Sequence, residues 1–155
     1  MLFTDGSVNP QEKIGFGAYL QIDNQNIEFS SLKDTIKVKK FDNTSSTKLE
    51  LQGLLWALNQ IANSKKAIVV YTDCQNIIGL QKRRKQFEEN NYLTKKNKLI
   101  ANHTLYKEFY QLTDKLNCEF KKVKGHKVGS EKDLIDKVFT LVDKASRDAL
   151  REHLR

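Results

Sequence analysis

The chain has 155 residues, of which 39% are hydrophobic and 30% are charged, and its formal net charge is +8. We expect one domain over residues 1–155, because a chain of this length buries a sufficient core without disulfides or a structural metal. The sequence contains no run of 18 apolar residues, which argues against a membrane span. The start lacks the basic and apolar segments of a secretory signal, so we expect a cytoplasmic protein with no membrane partner. We also expect a monomer. The basic excess favours a polyanionic partner, usually nucleic acid.

The first 33 residues predict three antiparallel strands. The stretch LFTDGS predicts a buried strand that ends at Asp5, and the polar connection VNPQEK follows it. Apolar residues occupy every even position from Ile14 to Ile22, which predicts a half-buried antiparallel strand. A turn over residues 23–26 then leads into IEFSSLK, residues 27–33, as the third strand.

The rest of the chain changes to a helical period. Residues 47–64 place leucines at helical spacing, which predicts an amphipathic helix capped by Ser45, Ser46 or Thr47. Residues 67–73, AIVVYTD, form a continuous apolar run typical of a central strand, and this run ends on Asp73. The remaining segments predict helices over 76–91, 103–117 and 133–154 and a last strand over 118–125. A meander followed by β-α-β crossovers predicts a mixed α/β sheet with helices packed on it.

Two predicted strands therefore end on an aspartate. Asp-Gly is common turn chemistry, and Asp5 alone would carry no other meaning. If the two strands lie side by side and parallel, however, Asp5 and Asp73 project into one crevice at their carboxyl ends. Glu50 lies in the first turn of the helix between them, and Asp143 lies beside the apolar side of the terminal helix.

Four converging carboxylates need either protons or cations. At about 4 Å, each pair of charges repels by about 4 kcal/mol at an effective dielectric constant of about 20. Oxygen ligands alone suit a hard divalent cation such as Mg²⁺, with Mn²⁺ as the alternative. Two such ions about 3.5–4 Å apart can activate a water and stabilise the leaving oxygen of a phosphodiester.

With these motifs the sequence resembles type 1 ribonuclease H. The motifs are TDGS, KLELQGLLWAL, YTDCQ, KVKGH and VDKASRDAL, which come in the order of that family and cover nearly the whole chain. The resemblance implies a five-stranded mixed sheet, with strands 1–3 antiparallel and helices on both faces. It also implies endonucleolytic hydrolysis of the RNA strand of an RNA–DNA hybrid, with two Mg²⁺ ions when substrate is bound.

The resemblance also implies roles for individual residues. Asp5, Glu50, Asp73 and Asp143 match the four catalytic carboxylates: Asp5 and Asp73 would hold both metals, Glu50 one of them and Asp143 the other. His126 matches the histidine of a mobile loop near the nucleophile or the product. About seven more residues separate His126 from Asp143 than the family usually has, close to two helical turns, and they lengthen either the loop or the helix.

The same resemblance also implies substrate contacts. Ser46 and Thr47 stand where the family usually has an asparagine pair. The expected minor-groove contacts are Ser7, Asn9, Thr47 and Gln75. The run Lys82, Arg83, Arg84 and Lys85, with Lys95, Lys96 and Lys98, falls where many members carry a basic protrusion that grips DNA phosphates. Its alternative is a solvated helix with Glu88 and Glu89 as counter-charges.

Two other functions compete with this interpretation. An inactive basic nucleic-acid-binding module on the same fold is the first, but it would have no need for four mutually repelling carboxylates. A proofreading-type exonuclease is the second, and it would carry an acidic residue two positions after Asp5, where this chain has Ser7.

Overall fold

The computed structural model describes residues 1–23, 28–61, 66–124 and 133–155. Within them lies a five-stranded sheet in the order β3-β2-β1-β4-β5. Strands β1 to β3 are antiparallel, whereas β4 pairs parallel with β1, and β5 pairs parallel with β4. The strands are β1 (Leu2–Asn9), β2 (Ile14–Gln21), β3 (Lys37–Asp42), β4 (Ile68–Thr72) and β5 (Cys118–Lys122). The predicted mixed sheet with an antiparallel first half is confirmed.

Helices cover both faces of the sheet, as predicted. They are α1 (Phe29–Leu32), α2 (Ser46–Gln60), α3 (Gln75–Ile78), α4 (Leu80–Glu89), α5 (His103–Lys115) and α6 (Leu134–His153). One core lies under α2 and α5, where Leu54, Leu58 and Phe109 are fully buried. A second core lies under α6, around Phe3 and Val142. None of the helices in the described ranges is long and apolar enough to cross a bilayer.

Glycines allow α2 to lie directly on the antiparallel half of the sheet. A Cβ atom on Gly17 would lie 3.3 Å from the Cα of Gly53 in α2 and 3.2 Å from Cε2 of Phe41. A Cβ atom on Gly15 would lie 2.6 Å from Cδ2 of Leu49. Helix α2 fills this space, so Gly15, Gly17 and Tyr19 on the odd-numbered face of β2 are buried. The prediction that β2 is half-buried, with apolar residues on its even-numbered face alone, is therefore wrong.

Two strand boundaries differ from the predictions. Strand β1 does not end at Asp5 but continues to Asn9, because the ladder with β2 extends to the pair Asn9–Ile14. The third strand is not residues 27–33. Phe29–Leu32 is a short helix, and β3 follows at Lys37–Asp42. This strand lies at the sheet edge with mostly exposed side chains, so it carries no apolar alternation that the sequence could reveal.

The helix predicted over residues 76–91 is two helices. Helix α3 ends at Ile78, and α4 starts at Leu80 after Gly79. Helix α6 begins after Asp133, whose side chain accepts a hydrogen bond from the amide of Asp136 in a capping box. Asp143 therefore lies in the third turn of α6. The segment 125–132, where the extra residues were placed as one alternative, lies outside the described residues.

Candidate active site

Asp5 is the buried centre of the predicted site. It pairs with Ala18 in the ladder between β1 and β2, and only 6% of its surface is exposed. A carboxyl group at such a position loses most of its hydration, so it needs partners that favour one protonation state or the other. Its neighbours in space come from three other elements.

Glu50 and Asp73 lie next to Asp5. Glu50 is the fifth residue of α2, and Asp73 follows directly on the last residue of β4. One carboxylate oxygen from each of the three side chains lies within 4.8 Å of the other two. The amide of Gly6 donates a hydrogen bond to the Glu50 carboxylate, which fixes that side chain against β1.

Asp143 completes the group from the opposite face of the sheet. Its carboxyl group shares a hydrogen bond with that of Asp5. Arg147, one turn further along α6, binds Asp143 through Nη2 and Oδ2 at 2.8 Å. The structure therefore brings all four predicted carboxylates together, although Asp143 is not within the closest group of three.

Burial and mutual repulsion dominate the electrostatics of this cluster. Desolvation, the hydrogen bond to Asp143 and the charges of Glu50 and Asp73 raise the pKa of Asp5 far above its ordinary value. Burial, with the charges of Asp73 and Asp143, raises the pKa of Glu50 to about 8, against the effect of the Gly6 amide. Without a cation, the cluster therefore tends to hold protons near neutral pH.

The donor set fits a hard divalent cation. Three carboxylate oxygens converge from Asp5, Glu50 and Asp73, with no soft ligand among them. Mg²⁺ and Mn²⁺ take such oxygen ligands, and a divalent charge would offset the repulsion that now raises the two pKa values. The residues present thus fit a divalent metal site.

Comparison with protein families identifies the chain. The RNase H family model matches residues 1–145, a range that contains all four carboxylates. The chain belongs to the ribonuclease H family. The sequence-based resemblance is confirmed.

Two relatives support this membership. The chain is 30% identical to the ribonuclease H of Orientia tsutsugamushi over 142 residues, which cover 90% of this chain and 79% of the relative. It is 26% identical to the ribonuclease H of Caldicellulosiruptor saccharolyticus, with 89% and 91% coverage. Both matches extend over most of this chain.

Solved structures show the same fold at low sequence identity. A foamy viral protease-reverse transcriptase, solved in complex with an RNA/DNA hybrid, matches 95% of this chain with a TM-score of 0.71 at 10% identity. The native prototype foamy virus protein matches 95% with a TM-score of 0.74 at 14% identity. The chain spans only about a fifth of those viral chains, 19% and 20%. These likenesses establish the ribonuclease H fold.

The candidate minor-groove residues have separate structural surroundings. The Ser7 hydroxyl lies 3.0 Å from that of Ser146, and Asn9 Oδ1 accepts from the amides of residues 11 and 12. Thr47 is exposed in the first turn of α2. Gln75 is exposed at the start of α3, and its Oε1 accepts from Lys122 at 2.9 Å. Ser7 thus contacts α6, Asn9 contacts the turn that follows it, and Gln75 contacts Lys122. Of the four residues, Thr47 and Gln75 are the exposed ones.

The two arginines of the basic run are held by the protein itself. Arg83 donates to the backbone carbonyl oxygen of Asn76 at 2.7 Å and to its side-chain oxygen at 2.5 Å. Arg84 binds both carboxylate oxygens of Asp114, at 2.6 and 2.9 Å, and its Nε binds Glu88 at 2.8 Å. The guanidinium of Arg84 also lies 5.1 Å from the ring centre of Tyr110.

The lysines of the same region are the exposed cations. Lys82 and Lys85 are exposed on α4, and Lys95, Lys96 and Lys98 are exposed in the segment that follows. Lys85 has only a long contact, 3.8 Å, to Glu89. The basic run therefore divides into two arginines that stabilise α4 and lysines that point to solvent.

His126 lies outside the described residues, so its place relative to the carboxylates stays a prediction. Ser146 and Arg147 were not selected from the sequence, although both contact Asp143. Their only sequence signal is their spacing of three and four residues from Asp143 on one helix face.

Proposed function

We propose that the protein is an endonuclease that hydrolyses the RNA strand of RNA–DNA hybrids with divalent cations, two of which are bound when substrate is present. The observation that carries this proposal is the convergence of Asp5, Glu50 and Asp73, with Asp143 hydrogen-bonded to Asp5, in a chain of the ribonuclease H family. Mg²⁺ is the expected ion, and Mn²⁺ is the alternative.

Each carboxylate has a distinct task in this proposal. Asp5 and Asp73 would hold both ions, Glu50 one ion and Asp143 the other. When bound, a pair of divalent ions supplies an activated water and charge stabilisation at the leaving oxygen. The ladder with β2 fixes the backbone of Asp5, and the Gly6 amide binds the Glu50 carboxylate, so these two residues would be positioned before a cation binds.

Recognition of the hybrid would use the exposed residues around this cluster. The minor groove of an A-like duplex is wide and presents the 2′-hydroxyl groups that distinguish RNA from DNA. Thr47 and Gln75 are exposed and lie near Glu50 and Asp73 in the chain, so we expect these two side chains to contact that groove. The exposed Lys82 and Lys85 would contact phosphates of the DNA strand without sequence preference.

His126 would assist proton or product handling near the reacting phosphate. Its role rests on the match of KGH to the family motif alone. The expected consequence is that His126→Ala slows turnover without preventing metal binding. An activity loss as complete as that of Asp5→Asn would show that this role is wrong.

A cleavage assay with a fluorescently labelled hybrid tests the proposal. The protein should cut the RNA strand at internal positions with Mg²⁺ and stop when EDTA is added, and it should leave duplex DNA intact. Asp5→Asn provides the matched inactive control. Binding of the hybrid without cleavage under every metal condition would overturn the proposal and favour an inactive binding module.

A further inference from the structure

We propose that Ser146 and Ser7 form a hydroxyl clamp that holds Asp143 against Asp5, and that Ser146 is a positioning residue for the metal-binding carboxylates. The inference rests on the proposed function in so far as Asp143 is a metal ligand. Neither serine belongs to the proposed metal-binding residues. The sequence suggested Ser7 only as a substrate contact and did not suggest Ser146.

The clamp connects β1 and α6, the same two elements that carry Asp5 and Asp143. The Ser7 and Ser146 hydroxyl oxygens lie 3.0 Å apart, and Ser146 Oγ also donates to the carbonyl oxygen of Asp143 at 2.9 Å. Since Ser146 has one hydroxyl proton and uses it on that carbonyl, Ser7 must donate to Ser146. The result is a chain of two hydrogen bonds from β1 to the backbone of Asp143.

Residue spacing places the clamp directly beside the carboxyl pair. Asp5 and Ser7 are two residues apart on β1, so both side chains point to the same face of the sheet. Asp143 and Ser146 are three residues apart on α6, so they share one face of the helix. The hydrogen bond between Asp5 and Asp143 and that between Ser7 and Ser146 are thus adjacent links between the same strand and helix.

The clamp is neutral, whereas the link beside it involves acidic groups. Ser146 is completely buried, so its hydrogen bonds do not compete with water. Two carboxylates repel when both are charged, which tends to push α6 away from β1. The hydroxyl pair is attractive in every charge state of the acids, and it therefore keeps Asp143 within reach of a shared cation.

Burial also separates this role from substrate contact. Ser146 has no exposed surface and cannot touch a hybrid, whereas Ser7 is only partly buried. If the two hydroxyls act as one clamp, Ser7→Ala and Ser146→Ala should have the same effect. If Ser7 contacts substrate instead, only Ser7→Ala should raise the KM for the hybrid.

The test measures Mg²⁺ binding by calorimetry on the full chain without substrate, and the Mg²⁺ dependence of cleavage separately. Ser7→Ala and Ser146→Ala both remove the hydrogen bond between Ser7 and Ser146, and each should weaken Mg²⁺ binding about three- to tenfold. The double variant should be no weaker than either single variant, because each removes the same link. Ser7→Thr keeps the hydroxyl and should restore binding.

Thr113→Val is the matched control. Thr113 Oγ1 donates to the carbonyl of Tyr110 at 3.3 Å, the same three-residue hydroxyl bond on α5, away from the carboxylates. Mg²⁺ binding by Ser146→Ala that equals the wild type, with a melting temperature lowered as in Thr113→Val, would overturn the proposal. Additive effects of the two single variants would overturn it as well. Calorimetry measures Mg²⁺ affinity without turnover. If the protein fails to cleave hybrids, the proposed function is refuted, but the effect of the serine variants on Mg²⁺ affinity can still be measured.

Discussion

The carboxyl group of Asp143 in α6 lies beside that of Asp5 in β1, and this contact contributes to raising the pKa of Asp5. This contact joins the central strand to the terminal helix across residues that are far apart in the chain. It makes the protonation of the cluster part of the stability of the fold. The same contact would give way to cation binding, since a metal ligand must be deprotonated.

The metal-free protein should lose stability as the pH rises. The folded-state pKa values of Asp5 and Glu50 lie above those of unfolded carboxyl groups, so the folded state holds more protons between about pH 4 and the folded values. This contribution is fully present below about pH 4 and is lost as the pH rises through about 8, the pKa of Glu50. We expect the melting temperature in EDTA to fall by about 5 °C or more between pH 6 and pH 9. A melting temperature that rises over this range would contradict the described electrostatics.

Replacing Asp5 with asparagine should separate activity from stability. Asp5→Asn removes a proposed metal ligand and should abolish cleavage, yet it also removes a buried acidic group whose pKa is strongly raised. Its melting temperature in EDTA should therefore equal or exceed that of the wild type, with a weaker dependence on pH. Asp73 is exposed, but its charge contributes to the raised pKa of Asp5, so Asp73→Asn should also abolish cleavage without lowering the melting temperature in EDTA. Calorimetric melting of both variants checks the prediction. A marked fall in melting temperature would show that the carboxylates stabilise the metal-free fold.

Within the basic run, we expect Lys82 and Lys85 to bind the hybrid and Arg84 to stabilise the fold. Lys82→Gln with Lys85→Gln should lower the slope of hybrid affinity against salt concentration by roughly 0.9 for each phosphate that the variant no longer neutralises. Arg84→Gln should leave that slope unchanged and lower the melting temperature by about 2 °C, because it breaks the ion pairs with Glu88 and Asp114 within the protein. Binding titrations at several salt concentrations measure the slopes, and thermal melting measures the stability. Equal slopes for the lysine variant and the wild type would show that Lys82 and Lys85 do not contact phosphates of the hybrid.

The close contact between β2 and α2 should resist enlargement. Gly17→Ala would place a Cβ 3.3 Å from the Gly53 backbone, so α2 must shift, and we expect a loss of about 1–3 kcal/mol in the free energy of unfolding. Gly79→Ala is the matched control, because the nearest atom to its added Cβ is 3.6 Å away and its φ of −83° suits alanine. It should be neutral or stabilising. Urea unfolding of both variants distinguishes them, and equal stabilities would show that the helix tolerates the added carbon.

Sequence patterns predicted the parts of the fold that have strong periodicity. The helix that carries Glu50 and the apolar run before Asp73 follow from local spacing, and the structure contains both. Strand β3 was missed, because an exposed edge strand gains its stability from pairing with β2 rather than from burying its own side chains. The continuation of β1 beyond Asp5 was missed for the same reason, since Gly6 and Ser7 carry no apolar signal.

The candidate site was predictable as a set of residue types but not as a set of contacts. Two aspartates after apolar segments, a glutamate at a helix start and an ordered series of motifs sufficed to select Asp5, Glu50, Asp73 and Asp143. Sequence could not show that Arg84 binds Asp114, because those residues are 30 positions apart and meet only when α4 packs near α5. For the same reason it could not show that Ser146 meets Ser7.

The most direct test of the central claim is the location of divalent ions by anomalous diffraction from Mn²⁺-soaked crystals with a non-cleavable hybrid bound. We predict one Mn²⁺ bound by Asp5, Asp73 and Glu50, and a second bound by Asp5, Asp73 and Asp143. Crystals that show no anomalous peak within bonding distance of Asp5, at Mn²⁺ concentrations that support cleavage, would contradict the proposed metal site.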